Sequence, residues 1–429
     1  MFPPSSSNVE TSHETEVISD GLISYIPFSD GVDDGSWPMD QEERARRHEA
    51  SFRSLSSVVT RLTATGRSVT CMVCTLSMPV VVEVAREHRI PFAVYWIQPA
   101  TVLAACYHYF HGHDEFLTEH ANDQAYEVTL PGLRPLRIRD MPTTIVASKT
   151  TLDNPLSAIV LRALRLLFEQ MDEEVKPVVL VNTFDALESV ALAALQPYMD
   201  VFAVGPAVPH DDKNGSAATA AAQIHLFEHD AKPYMEWLDA QEERSVVYVS
   251  FGSLLSYTKR QAEEIFHGLQ SYGKPYLWVV RREGRAEEVN LCLSEEAMAG
   301  GSEGVVVEWC DQQRVLLHPA VGCFVTHCGW NSTLEAVVHG VPMVAAPSWS
   351  DQTMNAYLVE EEWEVGVRAE RDAEGVLTRE ELVRCLELLM DGSDERAAQI
   401  RANAGNLRER AREAAAKDGP LERSLQNFV

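Results

Sequence analysis

The chain lacks any apolar run of the 18 or more residues that a membrane-spanning helix requires. Its opening, MFPPSSSNVETSHETE, has neither the basic nor the apolar region of a secretory leader. Positive charge is scarce: 36 lysines and arginines face 64 aspartates and glutamates, a net charge of −28 at pH 7. Such a surface repels polyphosphate backbones and anionic lipid, which argues against nucleic acid or an integral membrane as partner. An anionic ligand then needs a local device, such as a helix N-terminus. No repeat of solenoid or propeller period is present. Nor does any Gly-x-Gly-x-x-Gly follow a strand, which sets aside a dinucleotide oxidoreductase. The eight cysteines sit mostly in apolar contexts and read as free thiols of a reducing, cytoplasmic compartment. Cys71-x-x-Cys74 has no second pair nearby and reads as part of a buried strand, VTCMVC, and not as a zinc or redox site.

What is present is a globular composition, 45% hydrophobic over 429 residues, enough for two domains. β-Branched runs alternate with helical segments. The expected strands are Ser68–Cys74, Phe92–Trp96, Val178–Asn182, Val201–Val204, Val246–Phe251, Tyr276–Val280, Gly304–Glu308, Cys323–Thr326, Met343–Ala346 and Val365–Arg368. Helices are expected over Val80–Glu87, Pro155–Met171, Arg260–Ser271, Thr353–Glu362, Arg379–Met390 and Glu395–Ala416. Buried strands joined by crossover helices make parallel sheets, so the fold class is α/β. The polar, small-residue stretch 206–231 reads as a linker between a domain over 1–205 and another over 232–405, with a C-terminal helix over 406–429 returning to the first. The first 20 residues fit no strand-turn-helix opening, so the N-terminal domain is expected to be short of one βα unit.

Chemistry is densest in the 44 residues Trp309–Gln352. Two strand-to-helix turns and a strand-to-loop turn fall there, all at carboxyl ends of strands, the binding edge of an open α/β sheet. Gly329 is expected to permit a tight turn, with Asn331 and Ser332 at the N-cap and first turn of a helix Leu334–His339. Their N–H groups make an anion cradle, with His327 as a further donor. Glu335, one turn on, can accept from a ribose diol, and Trp309 offers a face for a base. Asp351 and Gln352 combine an acceptor-only carboxylate with a donor–acceptor amide, which suits sugar hydroxyls. Together these describe a nucleotide-sugar site. Gly268-LQSY-Gly273-Lys274 imitates a phosphate loop but ends a helix and carries Pro275 where Ser or Thr would bind magnesium. His108, His111 and His113 read as a polar loop and not as a metal site, and Glu360–Glu362 as a solvated helix face.

This 44-residue stretch resembles, without a gap, the signature box of the plant secondary-product UDP-glycosyltransferases, glycosyltransferase family 1. The resemblance implies a GT-B fold, two Rossmann-like parallel-sheet domains facing across a cleft, with UDP-glucose as co-substrate, no cofactor, no catalytic metal and a monomeric protein. Carried over by position, it puts Trp309 on uracil, the Cys310 backbone on the uracil edge, and Gln312 and Glu335 on the ribose. His327, Asn331, Ser332 and Ser253 would hold the diphosphate, the Trp330 backbone would lie near the sugar, and Asp351 with Gln352 would grip its hydroxyls. A final Gln in the family goes with glucose. Ile90–Leu103 and Pro131–Thr143 resemble acceptor-side segments of the branch that glucosylates hormones, flavonoids and carboxylic acids, with the helix after Gln98-Pro99 lining the acceptor pocket.

The family's catalytic base is a His after the first strand, oriented by an Asp after a later one. No counterpart of that His is visible here, since His13 lies in a polar segment, and Thr75 stands at the orienting-acid position. The expectation is inverting glucosyl transfer to a small lipophilic phenol, flavonoid or carboxylic acid. The alternative is a nucleotide-sugar-binding pseudoenzyme.

Overall fold

The computed structural model describes residues 18–19, 23–32, 40–146, 155–207, 233–252, 258–281 and 304–429. The linker over 208–231, His13, Ser253 and Cys292 lie outside them. By compactness the described chain separates into two units. The first holds residues up to Trp96 with Ala163–Leu180, and the second holds Ile97–Arg162 and the residues from Val181 onward.

The early strands are β1 (Ile18–Ser19), β2 (Ser24–Tyr25), β3 (Met72–Cys74), β4 (Phe92–Trp96), β5 (Glu127–Val128), β6 (Leu136–Arg137), β7 (Val178–Val181) and β8 (Asp200–Ala203). β1 and β2 pair antiparallel, as do β5 and β6, while a four-stranded sheet has the order β3-β4-β7-β8. β3 pairs in parallel with β4 through Met72↔Phe92, at one edge of that sheet. The expected strand Ser68–Cys74 shrinks to its last three residues and is not buried on both faces. Cys74 is 2% exposed but Val73 is 49% exposed, as an edge position allows. Helix Gln41–Ala64, unforeseen, is polar along most of its length. It starts where the Asp40 carboxylate accepts from Glu43 N–H at 2.7 Å, an N-cap.

The later strands are β9 (Val246–Ser250), β10 (Tyr276–Val279), β11 (Gly304–Val307), β12 (Val321–Thr326), β13 (Met343–Ala345) and β14 (Gly366–Arg368). They form an all-parallel sheet of order β11-β10-β9-β12-β13-β14. Counted within the sheet this is 3-2-1-4-5-6, the doubly wound order, so the strand order reverses between β9 and β12 and opens a crevice there. Val247, Val249, Trp278, Cys323, Val325 and Val344 fill the core beneath helices Lys259–Tyr272 and Arg379–Met390. The Gly268–Lys274 motif is a helix end: Gly273 sits at φ 68° as C-cap of Lys259–Tyr272.

Two polar readings change. His108 ends helix Ala100–His108, so the first of the three histidines is helical, while the backbone leaves helical geometry at His111 (φ −113°) and Gly112 (φ 99°), a kink before helix Asp114–His120. His108 is buried with Nε2 3.1 Å from the Pro131 carbonyl, and burial lowers its pKa. The acidic run Glu360–Glu362 is wired to arginines: Glu361 to Arg137 at 2.7 Å, Glu362 to Arg134 at 3.1 Å, and Glu360 to Arg396 at 3.8 Å. At the C-terminus, helix Pro420–Phe428 packs on β8, with the Phe428 ring 6.0 Å edge-on from Phe202.

Candidate functional site

β9 and β12 end side by side at the reversal, and each is followed by a turn that must make room for His327. A Cβ on Gly252 would stand 2.6 Å from the His327 ring, and one on Gly329 would stand 2.4 Å from its Nε2. Gly329 has an ordinary φ of −59°, so glycine is needed there for space and not for a special turn; the left-handed residue is Cys328, at φ 62°. Burial drives the His327 pKa down to about 4, against an opposing backbone contact from Ser250, so the ring is neutral at pH 7. Among the described residues its buried Nδ1 has no hydrogen-bond partner.

The helix that follows is Trp330–His339, four residues longer at its start than expected, and its N-cap is Gly329, not Asn331. Thr333 N–H is the first to bond back, to the Gly329 carbonyl at 3.0 Å. The N–H groups of Trp330, Asn331 and Ser332 therefore have no partner inside the helix and carry its positive end. Asn331 is exposed and Ser332 buried.

Beside this helix, Asp311 caps helix Gln312–Leu317 and accepts from Arg314 N–H at 3.2 Å. The cap points Gln312 at the neighbouring helix. Its Nε2 donates to Glu335 at 2.6 Å and to Ser332 Oγ at 3.0 Å, while its Oε1 accepts from the Tyr248 hydroxyl at 3.1 Å. That hydroxyl also lies 3.3 Å from Cys310 Sγ. Burial raises the pKa of Glu335 and holds that of Tyr248 well above its usual value. Trp309, half-buried, leads into this group two residues beyond β11.

Asp351 and Gln352 begin the helix Gln352–Tyr357 after β13. The Gln352 Oε1 accepts from two backbone donors, Ser348 N–H at 2.9 Å and Trp349 N–H at 3.1 Å, which fixes which end of the amide is the oxygen and which the NH₂ donor. Asp351 is buried, and that burial raises its pKa against the opposing influence of the Asn355, Ser350 and Gln98 side chains. Asn355 Nδ2 bridges the Asp351 carboxylate at 2.8 Å and the Cys328 carbonyl at 2.7 Å. Of the predicted residues, Gln312, Ser332 and Glu335 share one hydrogen-bonded group, and Asp351 belongs to a second, with Asn355 and the Cys328 carbonyl that precedes helix Trp330–His339.

Several members escaped sequence reasoning. Asn355 stands one turn beyond Asp351, a spacing that could have flagged it. Tyr248 and Asn182 are reached only in three dimensions. The Asn182 carbonyl accepts from the Trp330 indole at 2.8 Å, so Trp330 is anchored by its side chain. Glu188 is fully buried and accepts from Ala100 N–H and Thr101 N–H, each at 2.9 Å, capping the helix that follows Gln98-Pro99. Thr75 belongs to the first unit, where its hydroxyl lies 2.8 Å from that of Ser77. Among the described residues no group of three His, Cys, Asp or Glu side chains could hold a metal ion, and no helix is long and apolar enough to cross a membrane.

Comparison with known proteins points the same way. Residues 216–400 match the family model described as "UDP-glucoronosyl and UDP-glucosyl transferase". The chain is 41% identical to the chloroplastic crocetin glucosyltransferase of Gardenia jasminoides, over 95% of this chain and 85% of that one. It is 40% identical to the phloretin 4′-O-glucosyltransferase of Malus domestica, over 96% and 87%. The crystal structure of Os79 from O. sativa in complex with UDP superposes with a TM-score of 0.74 at 31% identity, covering 94% of this chain and 87% of that one.

Proposed function

The chain belongs to the UDP-glucosyl transferase family of plants, glycosyltransferase family 1, and is a GT-B glycosyltransferase that passes glucose to small molecules; from that premise we propose which residues hold the donor and which acceptors it serves. The donor is UDP-glucose. Trp309 stacks on uracil with the Cys310 backbone at its edge, and Gln312 with Glu335 takes the ribose. His327, Asn331, Ser332 and Ser253 take the diphosphate, and Asp351 with Gln352 takes the sugar beside the Trp330 backbone. The observation that carries this reading is that two hydrogen-bonded groups, Gln312 with Glu335 and Ser332, and Asn355 with Asp351 and Cys328, are joined through the chain that runs from Cys328 into helix Trp330–His339. One ligand laid along it meets a ribose acceptor, an anion cradle and a sugar anchor in that order.

Displacement at the anomeric carbon inverts it as UDP leaves with negative charge. The helix end at Trp330–Ser332 and the neutral imidazole of His327 receive that charge by donating hydrogen bonds, in place of a metal. We further propose a cytoplasmic monomer, with the acceptor half over 1–205, Gln98 at the acceptor pocket, and the donor half over 232–405. A hydroxyl, Thr75, occupies the position of the family's orienting acid, which favours acceptors that need no base. A carboxylic acid is already ionised at pH 7 and attacks directly. Turnover with matched phenol and carboxylate acceptors tests this: faster ester formation supports it, and equal rates overturn it. UDP-glucose binding with no product from either would favour the pseudoenzyme reading.

A further inference from the structure

The five residues Ser348–Gln352 that present the sugar-facing pair are not self-supporting. Ser350, immediately before Asp351, is a non-glycine residue at φ 62°, a left-handed conformation that its Cβ disfavours. It is buried, and its backbone donor and acceptor are both taken by one residue from a distant segment. Ser350 N–H donates to Thr143 Oγ at 2.7 Å, and Thr143 N–H donates to the Ser350 carbonyl at 2.9 Å. One turn on, Thr353 Oγ donates to the Met141 carbonyl at 2.7 Å. The segment carrying Met141 and Thr143 is itself pinned, because the fully buried Asp140 accepts from Nη1 of Arg368, the last residue of β14, at 2.7 Å.

We propose that Thr143 is a positioning residue for the sugar end of the donor site, holding Ser350 in its left-handed turn so that the Gln352 amide and Asp351 face the hexose. This rests on the donor-site reading above. The hydroxyl is the working atom: without it the buried Ser350 N–H loses its acceptor, the turn relaxes toward ordinary φ, and the Gln352 amide loses its aim. Uridine and the diphosphate are held by other elements, so the effect falls on the sugar alone.

The experiment is calorimetric binding of UDP, UDP-glucose and UDP-galactose to the full chain and to Thr143→Val, Thr143→Ser and Ser350→Gly/Thr143→Val. T143V keeps the side-chain shape and is expected to lower the glucose-over-galactose preference about tenfold while UDP binds within about twofold of wild type. T143S restores the preference, and the added glycine, which occupies the left-handed turn at no cost, recovers part of it. If T143V does not fold, T143C, a poorer acceptor, should show a partial loss. An unchanged preference in T143V or T143C overturns the proposal, and so does a parallel fall in UDP affinity, which would mark a purely structural role. A wild-type chain that does not distinguish UDP-glucose from UDP would sink the donor-site reading itself.

Discussion

The backbone of Gly329 lies against the imidazole of His327, so close that a single methyl group on Gly329 would stand 2.4 Å from Nε2. The backbone there has an ordinary φ of −59°, so alanine would be conformationally tolerated and would act only by displacing the ring. Gly329→Ala is therefore expected to weaken UDP-glucose binding about tenfold or more, a hydrogen-bond-sized loss. In a His327→Ala background, where the ring is gone, the same substitution should cost little. Additive losses in the double-mutant cycle would contradict the contact.

Glu335 and Gln352 should separate the two ends of the donor. With Glu335, bound by the Gln312 amide at 2.6 Å, on the ribose as proposed, Glu335→Ala should reduce affinity for UDP and UDP-glucose alike, by about 1–2 kcal/mol. Gln352→Ala should reduce affinity for UDP-glucose only. Competition binding with UDP as displacing ligand reads both. A UDP-specific loss in Gln352→Ala would reverse the assignment.

Proton uptake gives a stability signature. In the unfolded chain a histidine titrates near pH 6.5, whereas buried His327 accepts a proton only near pH 4. Between those values the unfolded state binds the extra proton, so this residue's contribution to stability falls as pH drops from about 6.5 to about 4. Burial raises the pKa values of Glu335 and Asp351, which opposes the trend, so the comparison must be differential. Thermal melts of wild type and His327→Gln should converge or cross as the pH falls through that window. A constant difference would place the ring in solvent.

Asp140 is fully buried between Arg137 Nε at 2.8 Å and Arg368 Nη1 at 2.7 Å. Removing one partner of a buried charge cluster strands the others, so Asp140→Ala should destabilise the fold by about 3–5 kcal/mol in denaturant unfolding. A change under about 1 kcal/mol would mean that solvent already screens the cluster.

The six-stranded sheet is legible because its strands are mostly buried on both faces and read as unbroken β-branched runs. β9 to β14 fall within two residues of expectation at every end. The start of helix Trp330–His339 was misjudged because Trp, Asn, Ser and Thr have weak helical propensity and turn preferences of their own. The box spacing singles out Gln312, Glu335, Asp351 and Gln352, of which Gln312 and Glu335 are hydrogen-bonded to each other. It could not show the partners that hold them. Thr143 meets Ser350 across 207 residues, and Asn182 meets Trp330 across 148, with no local periodicity to betray either. VTCMVC misled because an edge strand with one exposed face has the same composition as a central one.

Trp309 offers the most direct test, since the donor-site account begins with its indole stacked on uracil. Calorimetric titration of the full chain with UDP-glucose, wild type against Trp309→Ala, isolates that contact. The account predicts one-to-one binding by the wild type and a loss of about 1–3 kcal/mol in the variant, the size of one base–aromatic stack. Equal affinity in the two proteins, or no binding by the wild type, would contradict it.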